Sequence, residues 1–319
     1  MRIAESILSV IIAFAVVYVV YQSDKQSPVK LTSASNNYSV EVMTVPTALE
    51  DTLLIIPVTI TGEKSERIKY VFRYAKPNLR NLEQLHRYGT TPLTAVDSAA
   101  GLYKANIRTG TKGTLSHYFF EVRDPVGRYL AGIKLSGEKP LTTLAIGRVD
   151  QWINWGYYIT MFIAILSISL GALSSLRLVT GKDAQEPVNW PFLIAIVFTI
   201  VSAYLLGTLF GIQITGAAWQ GAPFGTDLGD NLKQILLVFL VFVLLATKQI
   251  KSKSGAIRRV FPKPLIGYLG IASFFMMILA YLLPLVAKSD YPHVSVIFYG
   301  FFTLLVIVYL LIFRSIKNA

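Results

Sequence analysis

The chain has 319 residues, 53% of them hydrophobic and only 15% charged, with a formal net charge of +12 and a mean hydropathy of +0.53. Soluble domains carry roughly 25% charged residues, and here the apolar residues gather in runs near the about 20 needed to cross hydrocarbon, so the composition predicts a polytopic α-helical membrane protein. There is no cysteine, which excludes disulfides, zinc thiolates, iron–sulfur clusters, c-type haem attachment and a Cys nucleophile.

In chain order, the first apolar run spans Ile3 to Tyr21. Its flank Val19-Val20-Tyr21-Gln22-Ser23-Asp24 has no small-x-small cleavage pattern, so residues 1–22 are expected to be an uncleaved signal anchor. Residues 23–150 are then a polar, domain-sized segment.

Within that segment the period changes to that of strands. Thr52-Leu53-Leu54-Ile55-Ile56-Pro57-Val58-Thr59-Ile60-Thr61 is β-branched and ends at Gly62, while Ile68–Tyr74 and Leu102–Ile107 alternate. Leu115–Arg123 follows, the turn Asp124-Pro125-Val126-Gly127 reverses the chain, and Tyr129–Ile133 pairs back. Short alternating strands with turn signals between them predict a β-sandwich. Pro77–Thr91 breaks the pattern, and its Leu79, Leu82, Leu85 and His86 spacing suits a short helical insertion.

The run GLYKANIRTGTKGTLSHYFFEVRDPVGR resembles the last strands of immunoglobulin-like and fibronectin type III-like domains. It has the alternating strand, the turn, the Tyr/Phe-rich strand and Asp-x-x-Gly, but neither the inter-sheet cysteine pair nor the core tryptophan of antibody domains. The resemblance implies an Ig-like sandwich and, by analogy, a role in protein contact.

The remaining residues, 151–319, read as five further spans: Ile153–Leu176, Trp190–Ile212, a run centred on Ile235–Thr247, Leu265–Ala287 and Val294–Phe313. Trp152, Trp155, Tyr157 and Tyr158 form an interfacial aromatic belt at the start of the first of these. The loop 248–264 holds Lys248, Lys251, Lys253, Arg258, Arg259 and Lys263 with no acid, which marks it as cytoplasmic. Counting from it places both termini inside, and residues 23–150 and the loop 213–233 outside, in a multi-pass protein of a prokaryotic inner membrane. The basic excess thus reflects topology, and the lipid bilayer rather than nucleic acid is the expected partner.

Between the third and fourth spans lies WQGAPFGTDLGDN, residues 219–231, where two carboxylates and an amide interrupt apolar surroundings. Three readings stand. Thr226 or Asp227 can cap the next helix, with Asp230 favoured by its positive end. Asp227, Asp230 and Asn231 with loop carbonyls can bind a hard cation. Trp219, Pro223 and Phe224 can dock a partner. Only Gln234–Thr247 is free of charge between Lys233 and Lys248, about 21 Å of helix, so Lys233 is expected to snorkel at the membrane boundary.

Chemistry is otherwise sparse. His86, His117 and His293 all lie away from the middle of any span, so a bis-His haem is not expected. The span centres carry no ionisable residue, and no HExxH, GxSxG, P-loop or EF-hand motif occurs. Catalytic residues and cofactors are therefore expected to be none. The expectation is a non-catalytic integral membrane subunit that anchors or scaffolds an extracytoplasmic assembly, a respiratory or electron-transfer one, through its outer domain and outer loop. Two alternatives are a transporter or channel subunit with 213–233 lining the path, and a membrane enzyme using Asp227 and Asp230.

Overall fold

A computed structural model describes residues 3–24, 28–35, 37–62, 69–78, 89–124, 126–133, 141–180, 189–218, 227–251, 257–286 and 294–318. The chain divides into two compact units: an α-helical one made of 1–24, 150–211 and 218–319, and a β one made of 25–149 with Ile212–Ala217.

The described helices are α1 (Ile3–Asp24), α2 (Gln151–Val179), α3 (Asn189–Thr199), α4 (Gly207–Thr215), α5 (Leu228–Ala246), α6 (Lys263–Val286) and α7 (Val294–Asn318). A seven-residue π-helical segment, Ile200–Leu206, joins α3 to α4. Among the described residues five helices are long and apolar enough to cross a membrane: Ile3–Ser23, Gln151–Val179, the continuous Asn189–Thr215, Leu228–Ala246 and Lys263–Leu285. This is a multi-pass membrane protein. Of α7, expected as a sixth span, the stretch Thr303–Arg314 is a shorter apolar helix.

Helix α2 is the hub of this unit and packs on α1, α3 and α6. Its buried face is rich in small residues, including Ser167, Gly171, Ala172, Ser174 and Ser175. Lipid tails are as apolar as leucine, so helices in a bilayer gain by close backbone approach rather than by leaving water. Gly270 of α6 shows how close: a Cβ there would stand 1.9 Å from Ser175 Oγ. Phe192 of α3 fills the space over Gly171, where a Cβ would meet its ring at 2.8 Å. The first helix shares the same core through Ala13, Val16 and Val20.

The β unit has two sheets, one of them curled into a half-barrel. One has the order β1-β2-β4-β8-β7, from β1 (Val29–Ser35), β2 (Tyr38–Thr44), β4 (Leu53–Thr61), β7 (Thr94–Asp97) and β8 (Leu102–Arg108). The other has the order β3-β11-β9-β5-β6, with β10 also on β9. Its strands are β3 (Thr47–Leu49), β5 (Lys69–Asn78), β6 (Gly89–Pro92), β9 (Leu115–Arg123), β10 (Tyr129–Ile133) and β11 (Leu141–Ile146). All pairs are antiparallel except β3 with β11.

Alternation fixes the two faces. Val40 and Val42, Ile56, Val58 and Ile60, Ala105 and Ile107 of the first sheet meet Tyr118, Phe120 and Val122 of the second in one core. The Tyr118 hydroxyl bonds Thr44 of the first sheet and lies 2.9 Å from Thr143 Oγ1 of β11, which donates to Val45 O at 2.7 Å. This buried polar chain therefore ties both sheets together. The β2–β4 ladder stops at Val42 opposite Val58, one residue short of Pro57, which has no N–H to donate. At the β4–β8 end, Gly101 adopts φ +74° and a Cβ there would lie 2.2 Å from Ile60 O, so only glycine fits.

The strand expectations correspond to β4, β5, β8, β9 and β10, and the Asp124–Gly127 reversal is a turn in which Gly127 N donates to Asp124 O at 2.9 Å. The ends of the 77–91 stretch belong to strands, since β5 continues to Asn78 and β6 begins at Gly89. The predicted helical insertion, with His86, lies outside the described residues.

Candidate functional site: a polar cluster in the helix bundle

Helix α5 begins with its own cap. Asp227 has extended backbone angles and its Oδ1 accepts from Asp230 N at 2.8 Å, satisfying one of the free amides at the helix start. Asp230 sits in the first turn, where its charge opposes the positive helix end. Gly229 faces the Pro284 ring of α6, a Cβ there coming to 3.6 Å, so the cap rests against the neighbouring helix. Asn231 is fully buried.

The same helix carries Lys233 into the bundle. The lysine is six residues past the cap, about 9 Å along the axis. Its side chain is only 19% exposed, and its charged neighbours are Asp230 and Asp227 together with the phenols Tyr157 of α2 and Tyr281 of α6. The ion pair to Asp230 is long, with Nζ 3.9 Å from Oδ1. Tyr204 of the π segment adds a third phenol within electrostatic range of Asp230 and Lys233.

The π segment explains how Tyr204 and Ser202 reach this place. Gly207 N donates to Ser202 O, five residues back, which widens the turn by one residue. Gly207 permits this, because a Cβ there would approach Ser202 O to 2.9 Å. Ser202 and Thr199 are thereby buried, with Ser202 Oγ donating to Thr199 O at 3.3 Å. Tyr281, 4% exposed, lies beside Ser202, yet its hydroxyl completes no well-formed hydrogen bond among the described residues. Phe210 stacks on Tyr157 with ring centroids 5.1 Å apart and holds that phenol in place.

Comparison with protein-family models, curated proteins and solved structures finds no match. The site therefore rests on its own chemistry.

Of the residues singled out in the sequence, Asp227, Asp230 and Asn231 come together on the first turn of α5. Asp227 acts as a cap and Asp230 faces Lys233, and no group of three His, Cys, Asp or Glu side chains suited to a metal occurs among the described residues. Trp219, Pro223 and Phe224 lie outside the described residues, as do His293 and Lys253. Lys248 is exposed just after α5, and Lys263 opens α6. Lys251, Arg258 and Arg259 fall in a two-stranded hairpin, β12 (Gln249–Lys251) with β13 (Ile257–Arg259). His117 is on β9, opposite Thr142 of β11, and burial holds its imidazole below the usual value.

Sequence reasoning missed Lys233, Tyr157, Tyr204 and Tyr281 as a group. Tyr157 reads as an interfacial belt residue and Lys233 as a boundary charge. The one available signal is helix phase: with the cap at Asp227, Lys233 falls in the second turn rather than at the end.

Proposed function

We propose that this protein is a non-catalytic membrane subunit that docks a protein partner through its β unit and anchors the resulting assembly in the bilayer. The observation that carries this reading is an apolar strip on the face of the first sheet turned away from the core. Leu53 and Ile55 are 61% and 54% exposed on β4, Pro57 continues the row, and Met43 on β2 is 50% exposed. A contiguous exposed apolar patch rimmed by polar groups marks an interaction surface. Asn106, Arg108 and Lys104 of β8, opposite Ile55, Leu53 and Pro57, provide such a rim.

The strand order supports an Ig-like assignment. Strands β2, β4, β8 and β7 stand where A, B, E and D stand in that fold, and β5, β9 and β11 where C, F and G do. Such domains serve protein contact in many settings, so this is analogy. In the same reading the β unit faces the extracytoplasmic side, the basic 248–264 loop and both termini face the cytoplasm, and α7 is the sixth span. The assembly would be extracytoplasmic, of a respiratory or electron-transfer type. The loop residues Trp219, Pro223 and Phe224 would add a second docking element.

The test is co-purification in mild detergent. Wild-type protein is expected to bring a stoichiometric partner, and Ile55→Arg to release it while the β unit melts as before. A wild-type protein that runs alone and monodisperse, or an Ile55→Arg variant that retains every partner, sinks the docking reading.

A second reading, a transport or channel subunit, is favoured by one observation: the ionised pair Asp230 and Lys233 lies within the bundle, and such residues in spans are costly and commonly mark a path. Solute flux into vesicles containing the purified protein, abolished by Lys233→Met, would support it over docking.

A further inference from the structure

An apolar groove of about 360 Å³ opens along two helices, between Leu237, Val241, Phe242 and Leu245 of α5 and Leu305 and Leu310 of α7. Its lining is aliphatic and aromatic throughout, and its size is within the range of ligand pockets. Leu237 to Leu245 covers about 12 Å of helix axis, which fits inside one leaflet of a hydrocarbon core about 30 Å thick. A single hydrocarbon chain suits such a lining.

One end of the groove is basic. Lys248 N donates to Leu245 O at 3.1 Å, so an exposed lysine follows the last lining residue of α5 within one turn. On α7 the exposed Arg314 stands four residues past Leu310, on the same face of the helix. Neither cation takes part in an ion pair among the described residues. The hairpin β12–β13 adds Lys251, Arg258 and Arg259 at this end, and β12 touches α7. No Asp or Glu occurs between Leu232 and Ser289 or over residues 291–319, so these segments do not neutralise their own charge.

Topology alone asks for basic residues on one side of the membrane and is served by any loop. Here the basic hairpin is tied to the wall of the groove. Val260 N donates to Lys248 O at 3.3 Å, and Val260 and Phe261, which follow the hairpin, are buried in the core of the bundle. Phe261 packs edge-on against Phe242 with ring centroids 5.8 Å apart, and Phe242 is itself part of the groove lining. The apolar wall and the root of the hairpin are therefore one packed structure, which sets the charges at a fixed distance from the groove.

We propose that this groove binds one acyl chain of an anionic glycerophospholipid whose phosphate is held at Lys248 and Arg314. The guanidinium fork matches phosphate geometry, and the lysine adds a point charge. A zwitterionic lipid can fill the groove equally well but gains little at its basic end, so the site selects by headgroup. The site is independent of the docking surface on the β unit.

The full chain in nanodiscs of phosphatidylglycerol and phosphatidylcholine, equal in amount and identical in acyl chains, tests this by native mass spectrometry of the lipid it retains. Wild type is expected to keep one phosphatidylglycerol, preferred at least about fivefold over phosphatidylcholine. Lys248→Gln combined with Arg314→Gln should cut that preference at least about threefold, while Lys248→Arg combined with Arg314→Lys, which keeps both charges, should leave it unchanged. Val241→Trp fills the groove and should lose the retained lipid. The charge variants alter exposed side chains only, so they decide even where the tryptophan disturbs packing. Equal retention of the two lipids by wild type, or an unchanged preference in the double glutamine variant, overturns the proposal. So does a folded Val241→Trp protein that keeps its phosphatidylglycerol, or a second polypeptide retained in place of lipid and lost in Val241→Trp.

Discussion

Glu5 near the start of the first helix and Arg177 near the end of the second form an ion pair, with Arg177 Nε donating to Glu5 Oε1 at 3.1 Å and Nη2 bonding the same oxygen. Both side chains are three-quarters buried, at 22% and 25% exposed. An arginine fork on a carboxylate in so shielded a place is a stronger tie than a surface pair. It joins the start of one helix to the end of the next.

Removing one partner leaves the other charge enclosed and unpaired, which typically costs about 3–5 kcal/mol for a buried pair. Arg177→Met is therefore expected to lower the melting temperature of the detergent-solubilised protein sharply. Glu5→Gln combined with Arg177→Met should recover a good part of that loss, because no orphan charge remains. A double variant as unstable as the sum of the singles would show that the pair is not coupled.

The acidic stretch before α5 divides into separable roles. Asp227→Ala removes the cap on Asp230 N and is expected to cost about 1 kcal/mol, with Asp227→Asn costing less because an amide oxygen still accepts. Thermal melts of the three proteins in one detergent check this. Equal stability of Asp227→Ala and wild type would mean that the amide finds another acceptor.

Much of this architecture is legible in the sequence because it rests on one-dimensional signals. Apolar runs near bilayer length give the helices, and the alternation around Ile56-Pro57-Val58 or Tyr118-Phe119-Phe120 gives strands with one buried face. The cap at Asp227 is also legible, since Asp ahead of an apolar run is a local signal. The π segment is not. Ile200–Leu206 reads as ordinary helix, and only the bond from Gly207 N to Ser202 O reveals the extra residue per turn. Lys233 escapes for a different reason. How far a lysine near a span end is enclosed depends on helix phase and on neighbours far apart in sequence, Tyr157 and Tyr281. The contact between Gly270 and Ser175 is equally non-local, although glycine and serine spacing on each helix hints at it.

Topology is directly measurable in this chain. Single cysteines at Ser65, Ser254 and Ser315 exploit the natural absence of cysteine. With residues 23–150 extracytoplasmic, only Ser65→Cys should react with an impermeant thiol reagent on intact cells. Labelling of Ser254→Cys under the same conditions would reverse the orientation.

The β unit carries a pH signature at each end of the scale. Burial pushes the Tyr118 phenol up and the His117 imidazole down, so the folded state favours both neutral forms. For Tyr118 the folded value lies above the unfolded one near 10, so its contribution is complete below that pH and is lost as pH rises beyond it. For His117 the folded value lies below the unfolded one near 6.5, so its contribution is complete above that pH and is lost as pH falls through it. Residues 24–148 expressed alone are expected to give a β-type circular dichroism spectrum and a cooperative melt, with maximum stability between these limits. Ile212–Ala217, which the fragment lacks, meets the unit at Gly147 N to Ile214 O, so the fragment should be somewhat less stable than the β unit in the full chain. His117→Gln should flatten the acid side of the profile. Tyr118→Phe should flatten the alkaline side and, by leaving Thr44 and Thr143 without their shared partner, cost about 1–3 kcal/mol at neutral pH. A profile unchanged by either substitution would place the pH dependence in other groups. A helical or non-cooperative fragment would defeat the claim that the unit holds its own core.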